Sequence, residues 1–169
     1  WMVAAVHCAQ RPVSRGVSAA WDSVLYNSNS LGYIDNGHQS GRYGGPSTLS
    51  WYWPFDDSDL RTARMKAAAM DWWAAEEMVL SDLSVAHSDI GQCATSIDVH
   101  IWGHGTIRPE VGLHEPNRLA SLYQPMGRVQ FCHTDNSGIS LFEEAAYHGI
   151  RASESVLKRL SRLHDGTIL

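Results

Sequence analysis

The spacing of apolar residues changes at Pro54, and that change divides the chain into two kinds of structure. Upstream, four extended segments follow one another: residues 1–9 are apolar, 21–26 alternate moderately, 31–38 are short and punctuated by Gly32 and Gly37, and 48–53 are aromatic. Turn formers separate them at Arg15-Gly16, Asn27 to Ser30 and Gly41 to Pro46. Close-set strands joined by polar turns predict an antiparallel meander. Downstream, Asp56 to Asp59 put carboxylates where the bare N–H groups of a helix start favour negative charge. Leu60, Met65, Ala68, Trp72, Val79 and Leu83 then recur at helical spacing, so residues 59–86 form one long helix or two consecutive ones.

Beyond this helical stretch, residues 97–102 predict a strand, 116–123 a short helix, 129–132 a second apolar strand, and 140–163 a long amphipathic helix. Ser140 and Glu143 have capping-box spacing at the start of that last helix. The expected class is α+β: an antiparallel or mixed sheet with helices across residues 1–96, then a strand-and-helix unit across 97–169.

Composition removes several function classes. The net charge is −5 and the basic residues are scattered, which argues against a nucleic-acid or anionic-membrane surface. No apolar run approaches the ~20 residues of a membrane-spanning helix. Cys8, Cys93 and Cys132 form an odd set without CxxC spacing, as expected for reduced thiols in a cytoplasm. The segment from Trp1 to Cys8 already reads as a strand, with no initiator methionine or polar lead-in, so further sequence is expected upstream.

The stretch from Gly127 to Ser153 carries the most chemistry. A strand ends near the carboxylate of Asp135, a small polar turn follows, and a helix begins. A carboxylate there accepts hydrogen bonds from sugar-like hydroxyls, and first-turn amides hold partial negative charge. This stretch resembles the carboxyl-terminal signature of the flavin-containing amine oxidase and phytoene desaturase superfamily. In that comparison residues 129–132 take the place of the strand. Asp135 matches the acidic residue that binds the ribityl chain. Ser140, Leu141 and Phe142 match the helix-start positions whose amides face the flavin pyrimidine ring, and Gly149 matches the glycine before Arg151-Ala152.

The resemblance implies an FAD cofactor, a small-molecule substrate and hydride transfer from a substrate C–H to flavin N5. It makes residues 1–96 the substrate-binding sheet and helices, and residues 97–169 the carboxyl-terminal strand and helix of a Rossmann-like FAD domain. Trp102 and His104 then belong to the strand and loop above the flavin ring, and Trp51 and Trp53 to the substrate pocket. The chain has no GxGxxG: Gly41, Gly44 and Gly45 lack the spacing and do not lie between a strand and a helix. The pyrophosphate loop is therefore expected from an upstream segment or a partner chain.

Other patterns offer less. His100 and His104 sit four apart in a strand-like setting, ~13 Å from each other on a regular strand, which does not make a metal pair. His133 and Asp135 lack a third ligand at an obvious spacing, so no metal is expected. Trp51 and Trp53 share one face of their strand, as core packing or as a pocket wall. Ser137-Gly138 lacks the G-x-S-x-G elbow of a serine hydrolase. Glu76-Glu77 and Glu143-Glu144 are adjacent, so each pair diverges on a helix as a solvated face. Two functions from other classes stand beside the oxidoreductase: a non-catalytic assembly subunit, and a histidine-based metalloenzyme.

Overall fold

The computed structural model describes residues 1–16, 20–42, 44–56, 59–115 and 118–162, which fall into two compact units, Trp1–His104 and Gly105–Leu169. The division lies past the expected 96/97 boundary because the strand there is bound into the first sheet.

Unit 1 is α+β. Its strands are β1 (Met2–Cys8), β2 (Asp22–Ser23), β3 (Tyr33–Asp35), β4 (Ser47–Trp53) and β5 (Ala94–Ile101), and its helices are α1 (Leu60–Ala69), α2 (Trp72–Ser84) and the short α3 (Ile90–Cys93). The sheet order is β2-β3-β4-β1-β5, with every pair antiparallel. The expected meander holds only for β2-β3-β4. The first strand of the chain instead enters the centre, because Met2, Val3, Ala4, Ala5 and Val6 are apolar almost without interruption and such a strand is best flanked on both edges.

Alternation sorts the two faces of the sheet. Met2, Ala4, Val6 and Cys8 are buried, as are Leu49 and Trp51 of β4 and Ile97 of β5. They share one core with Ala75, Val79 and Leu83, the i, i+4, i+8 stripe of α2. The helical stretch breaks into two at Met70-Asp71. Met70 is extended, and Asp71 caps α2 by accepting the Ala74 N–H at 2.8 Å. Asp59 caps α1 in the same way, accepting from the Arg61 and Thr62 N–H groups; Asp57 and Ser58 lie outside the described residues.

The predicted strand over 21–26 shortens to two residues and that over 31–38 to three, followed by a 3-10 turn at Asn36–Gln39. Gly32 allows the close approach there. Its φ is +84°, and a Cβ would lie 1.9 Å from the Ser23 carbonyl oxygen.

Unit 2 contains 3-10 turns at Ala120–Tyr123 and Thr134–Asn136 and one long helix, α4 (Phe142–Arg159). The helix expected over 116–123 is reduced to its last turn, and Pro116 and Asn117 lie outside the described residues, as does Leu163 at the expected end of the last helix. The strand expected over 129–132 does not form. Met126 and Val129 pair as an isolated bridge across the turn at Gly127, where φ is +61°, and residues 130–132 have no neighbouring strand among the described residues. Their apolar character is that of a strand, but a ladder needs a second chain segment.

Candidate functional site

The turn before α4 is built by local hydrogen bonds. His133 Nδ1 accepts the Asp135 backbone N–H at 3.2 Å, which starts the 3-10 turn. Asn136 is buried, and its side-chain amide donates to the Phe131 carbonyl at 3.0 Å. The Arg151 guanidinium donates to the same carbonyl at 3.3 Å, so the turn packs onto α4.

Asp135 Oδ1 lies 3.1 Å from the same His133 Nδ1. A neutral imidazole nitrogen that accepts an N–H has no proton to give, so Oδ1 is buried without a donor among the described residues. The side chain as a whole is 49% exposed. The Asp135 backbone is held by the turn, while its carboxylate's capacity to accept hydrogen bonds is largely unspent.

The start of α4 is bare. The N-cap is Leu141, whose side chain cannot accept, and no side chain caps the helix. The capping box expected from Ser140 does not form because the helix begins two residues later than Ser140. The Ser140 hydroxyl donates instead to the Ile107 carbonyl at 3.5 Å. Phe142 opens the helix at 83% exposure. Among the described residues no side chain caps its first-turn amides.

In unit 1 the predicted residues take different places. Trp51 is fully buried and gives its indole N–H to Asp82 Oδ2 at 2.6 Å. It stacks on the half-buried Trp53 with centroids 5.7 Å apart. The structure therefore places Trp51 in the core. Trp102 extends the line of β5 and is 53% exposed, with its N–H bound to the Trp1 carbonyl at 2.7 Å. His104 Nδ1 lies 3.1 Å from Arg64 Nη2. Since a guanidinium only donates, Nδ1 is the acceptor and Nε2 carries the proton, which makes His104 a donor to any ligand rather than a base.

Three features escaped the sequence. His7 of β1 bridges Asp98 of β5 and Thr48 of β4, at 3.0 and 3.2 Å. Arg11 and Asp35 form a buried ion pair. His148 is fully buried in α4, with neither ring nitrogen hydrogen-bonded among the described residues, Glu144 Oε2 3.7 Å from its Nε2, and the rings of Tyr123 and Tyr147 beside it. Strand parity could have aligned His7 with Asp98 only once the register was known. The Arg11–Asp35 pair has no local signal, and for His148 the i, i+4 spacing from Glu144 marks a helix-face contact but not its burial.

The cysteines are all free, and burial pushes the Cys8 thiol up to about 11, so it serves as an apolar packing group. Among the described residues no cluster of three or more His, Cys, Asp or Glu side chains suits a metal ion, and no helix is long and apolar enough to cross a membrane.

Burial holds the His148 imidazole below its ordinary value; the Arg151 cation acts in the same direction and Glu144 opposes both. The folded state therefore binds this proton less readily than the unfolded chain. Its stability should be complete above about pH 6.5 and fall as pH drops below that value. Thermal melts of the wild type and His148→Gln check this: the variant should lose part of the acid-side slope, and equal slopes would refute the assignment.

No protein-family model matches this chain, and no curated protein does either.

Proposed function

We propose that this chain is the carboxyl-terminal part, or a subunit, of an FAD-dependent oxidoreductase of the amine oxidase and phytoene desaturase kind. The observation that carries this reading is the pairing of an under-used carboxylate at Asp135 with a bare helix start at Phe142. Asp135 would accept from ribityl hydroxyls, and the Phe142 backbone N–H would face the electron-accepting carbonyl edge of the ring, the Leu141 N–H being bound to the Ile139 carbonyl at 3.0 Å. When bound, flavin supplies the hydride acceptor for a substrate C–H. The protein's part is to hold, orient and polarise.

Two further features support the reading. Among the described residues of unit 2, Leu113 and Ala152 are the only buried apolar side chains, while thirteen large apolar ones are exposed. A unit with so little core of its own is completed by other polypeptide. Residues 130–132, which pair with no strand among the described residues, fit the same conclusion, since a strand of a larger Rossmann-like sheet has no neighbour until that sheet is present. The missing material would carry the pyrophosphate loop. Three unpaired thiols suit a cytoplasmic setting. Unit 1 corresponds in this reading to the substrate-binding sheet, with Trp102 and the donor His104 at its ligand-facing edge.

The exposed apolar surface of unit 2 also favours a second reading, a non-catalytic assembly subunit on the same scaffold. The flavin content of the native assembly, the chain together with whatever carries the pyrophosphate loop, separates the two. Asp135→Ala should raise the flavin Kd by about tenfold or more, since a hydrogen bond to a charged group contributes ~1.5–3 kcal/mol. Flavin content that is high and unchanged in the variant removes Asp135 from the site. A colourless assembly supports the subunit reading.

A further inference from the structure

The outward face of the unit 1 sheet carries a polar and aromatic row on its edge strand. Ser96, Asp98 and His100 of β5 are exposed, opposite the buried Ile97. Trp102 continues the row: its ring centroid is 4.3 Å from that of His100, edge-on at 65°. Steps of two residues space these groups at ~7 Å on one flat surface.

The polar groups are oriented in advance. Asp98 only accepts, so His7 Nε2 carries a proton and donates it across 3.0 Å, and Nδ1 is then the acceptor for the Thr48 hydroxyl at 3.2 Å. This relay spans three adjacent strands and fixes the rotamers of all three side chains. It uses one oxygen of Asp98, whose side chain stays 81% exposed, and the only proton of Thr48. The second carboxylate oxygen and the Thr48 lone pairs remain as acceptors, while His100 and Ser96 add groups that both donate and accept.

The ligand class follows from that mixture. An alkane-like chain would desolvate Asp98, His7 and Thr48 without return. A phosphate or carboxylate ligand would meet the Asp98 charge. A saccharide suits both parts: its C–H face lies flat on the exposed indole, and its hydroxyls satisfy a carboxylate that is already aimed. We propose that this face binds a saccharide, with Trp102 as the stacking platform and Asp98, held by His7, as the principal acceptor. The proposal rests on the flavin reading only for the expectation that this sheet meets substrate. Its test reads binding without flavin, so the two fail separately.

The experiment is a titration of the ¹⁵N-labelled 169-residue chain with cellobiose and with N-acetylglucosamine, using glycerol as a polyol without a ring face. The Trp102 indole N–H is assigned with Trp102→Phe. The expected result is a saturable shift of that resonance and of the His100 amide by at least one saccharide in the millimolar range, with no effect of glycerol. Trp102→Ala should abolish it, and Asp98→Asn should weaken it by about tenfold. Both substitutions are at exposed positions, and circular dichroism verifies that each variant is folded. Three results would overturn the proposal: no shift with either saccharide at tens of millimolar, a His100 amide shift that persists in folded Trp102→Ala or is unweakened in folded Asp98→Asn, or shifts that depend on protein concentration rather than sugar.

Discussion

Trp51→Ala is expected to destabilise unit 1 by about 3–5 kcal/mol, the range for removing a fully buried large aromatic side chain. The indole has no exposed surface and lies in β4, opposite Ala4 on one side and Tyr33 on the other. The small Ala4 leaves room that only the indole fills, so truncation opens a cavity at the centre of the sheet. It also strips Asp82 of the donor that ties β4 to α2. With a typical domain stability of ~5–15 kcal/mol, this loss is at least about a fifth of the total and can reach all of it. Urea unfolding measures it: the midpoint should drop sharply while the slope stays unchanged. Two comparisons apportion the effect. Trp51→Phe keeps most of the volume and removes the N–H, so it should cost far less than the alanine. Trp53→Ala, at a half-buried position, should also cost less. If Trp53→Ala costs as much as Trp51→Ala, the placement of the core is wrong.

That contrast marks how far a sequence reaches. The alternation over 48–53 placed Trp51 and Trp53 on one face, and the structure keeps them there, stacked. Alternation is local and survives any arrangement of neighbours. Whether that face meets helix α2 or a ligand depends on residues thirty positions away, and no local pattern encodes it. The same distinction explains the two helices of unit 1, whose caps at Asp59 and Asp71 act within three residues and were legible at least as a helical stretch.

Where formation depends on a distant partner, the sequence misleads. Residues 129–132 have a strand's composition and no ladder, because strand formation requires a neighbour and composition does not supply one. At the start of α4 the S-x-x-E pattern lies one residue ahead of the observed cap. The Ser140 hydroxyl found the Ile107 carbonyl, a partner 33 positions away, and Leu141 became the cap. The chemistry at Asp135 was legible as a carboxylate before a helix start; that one of its oxygens faces a nitrogen unable to donate was not. The His7–Asp98 contact crosses 91 positions and appears only when β1 and β5 are in register. The sequence thus holds the parts of both candidate sites, and tertiary register decides which parts meet.

The second large effect is expected at Asp35→Ala, which should cost about 3–5 kcal/mol by taking from the largely buried Arg11 guanidinium the carboxylate that binds it. The Arg11 and Asp35 side chains are only 17% and 7% exposed. Asp35 does more than neutralise: it also accepts the Gly37 N–H at 2.9 Å, which starts the 3-10 turn after β3, and its carbonyl accepts from His38 Nδ1 at 2.7 Å. Arg11 in turn reaches the Arg42 carbonyl at 3.4 Å, so one pair joins the segment after β1, the end of β3 and the loop before β4. Removing the carboxylate should therefore loosen the β2–β3 edge of the sheet before the β4–β1–β5 part yields. Hydrogen exchange resolves the order: amides of residues 33–38 should lose protection first, while those of β1 keep theirs. The paired substitution Arg11→Met with Asp35→Ala separates charge from structure. If the broken ion pair dominates, the double variant recovers much of the loss despite carrying two changes, because the buried cation is removed together with its carboxylate. If it is no more stable than Asp35→Ala alone, the carboxylate's bond to the Gly37 N–H carries the effect, and the ion pair is incidental to the sheet edge it spans.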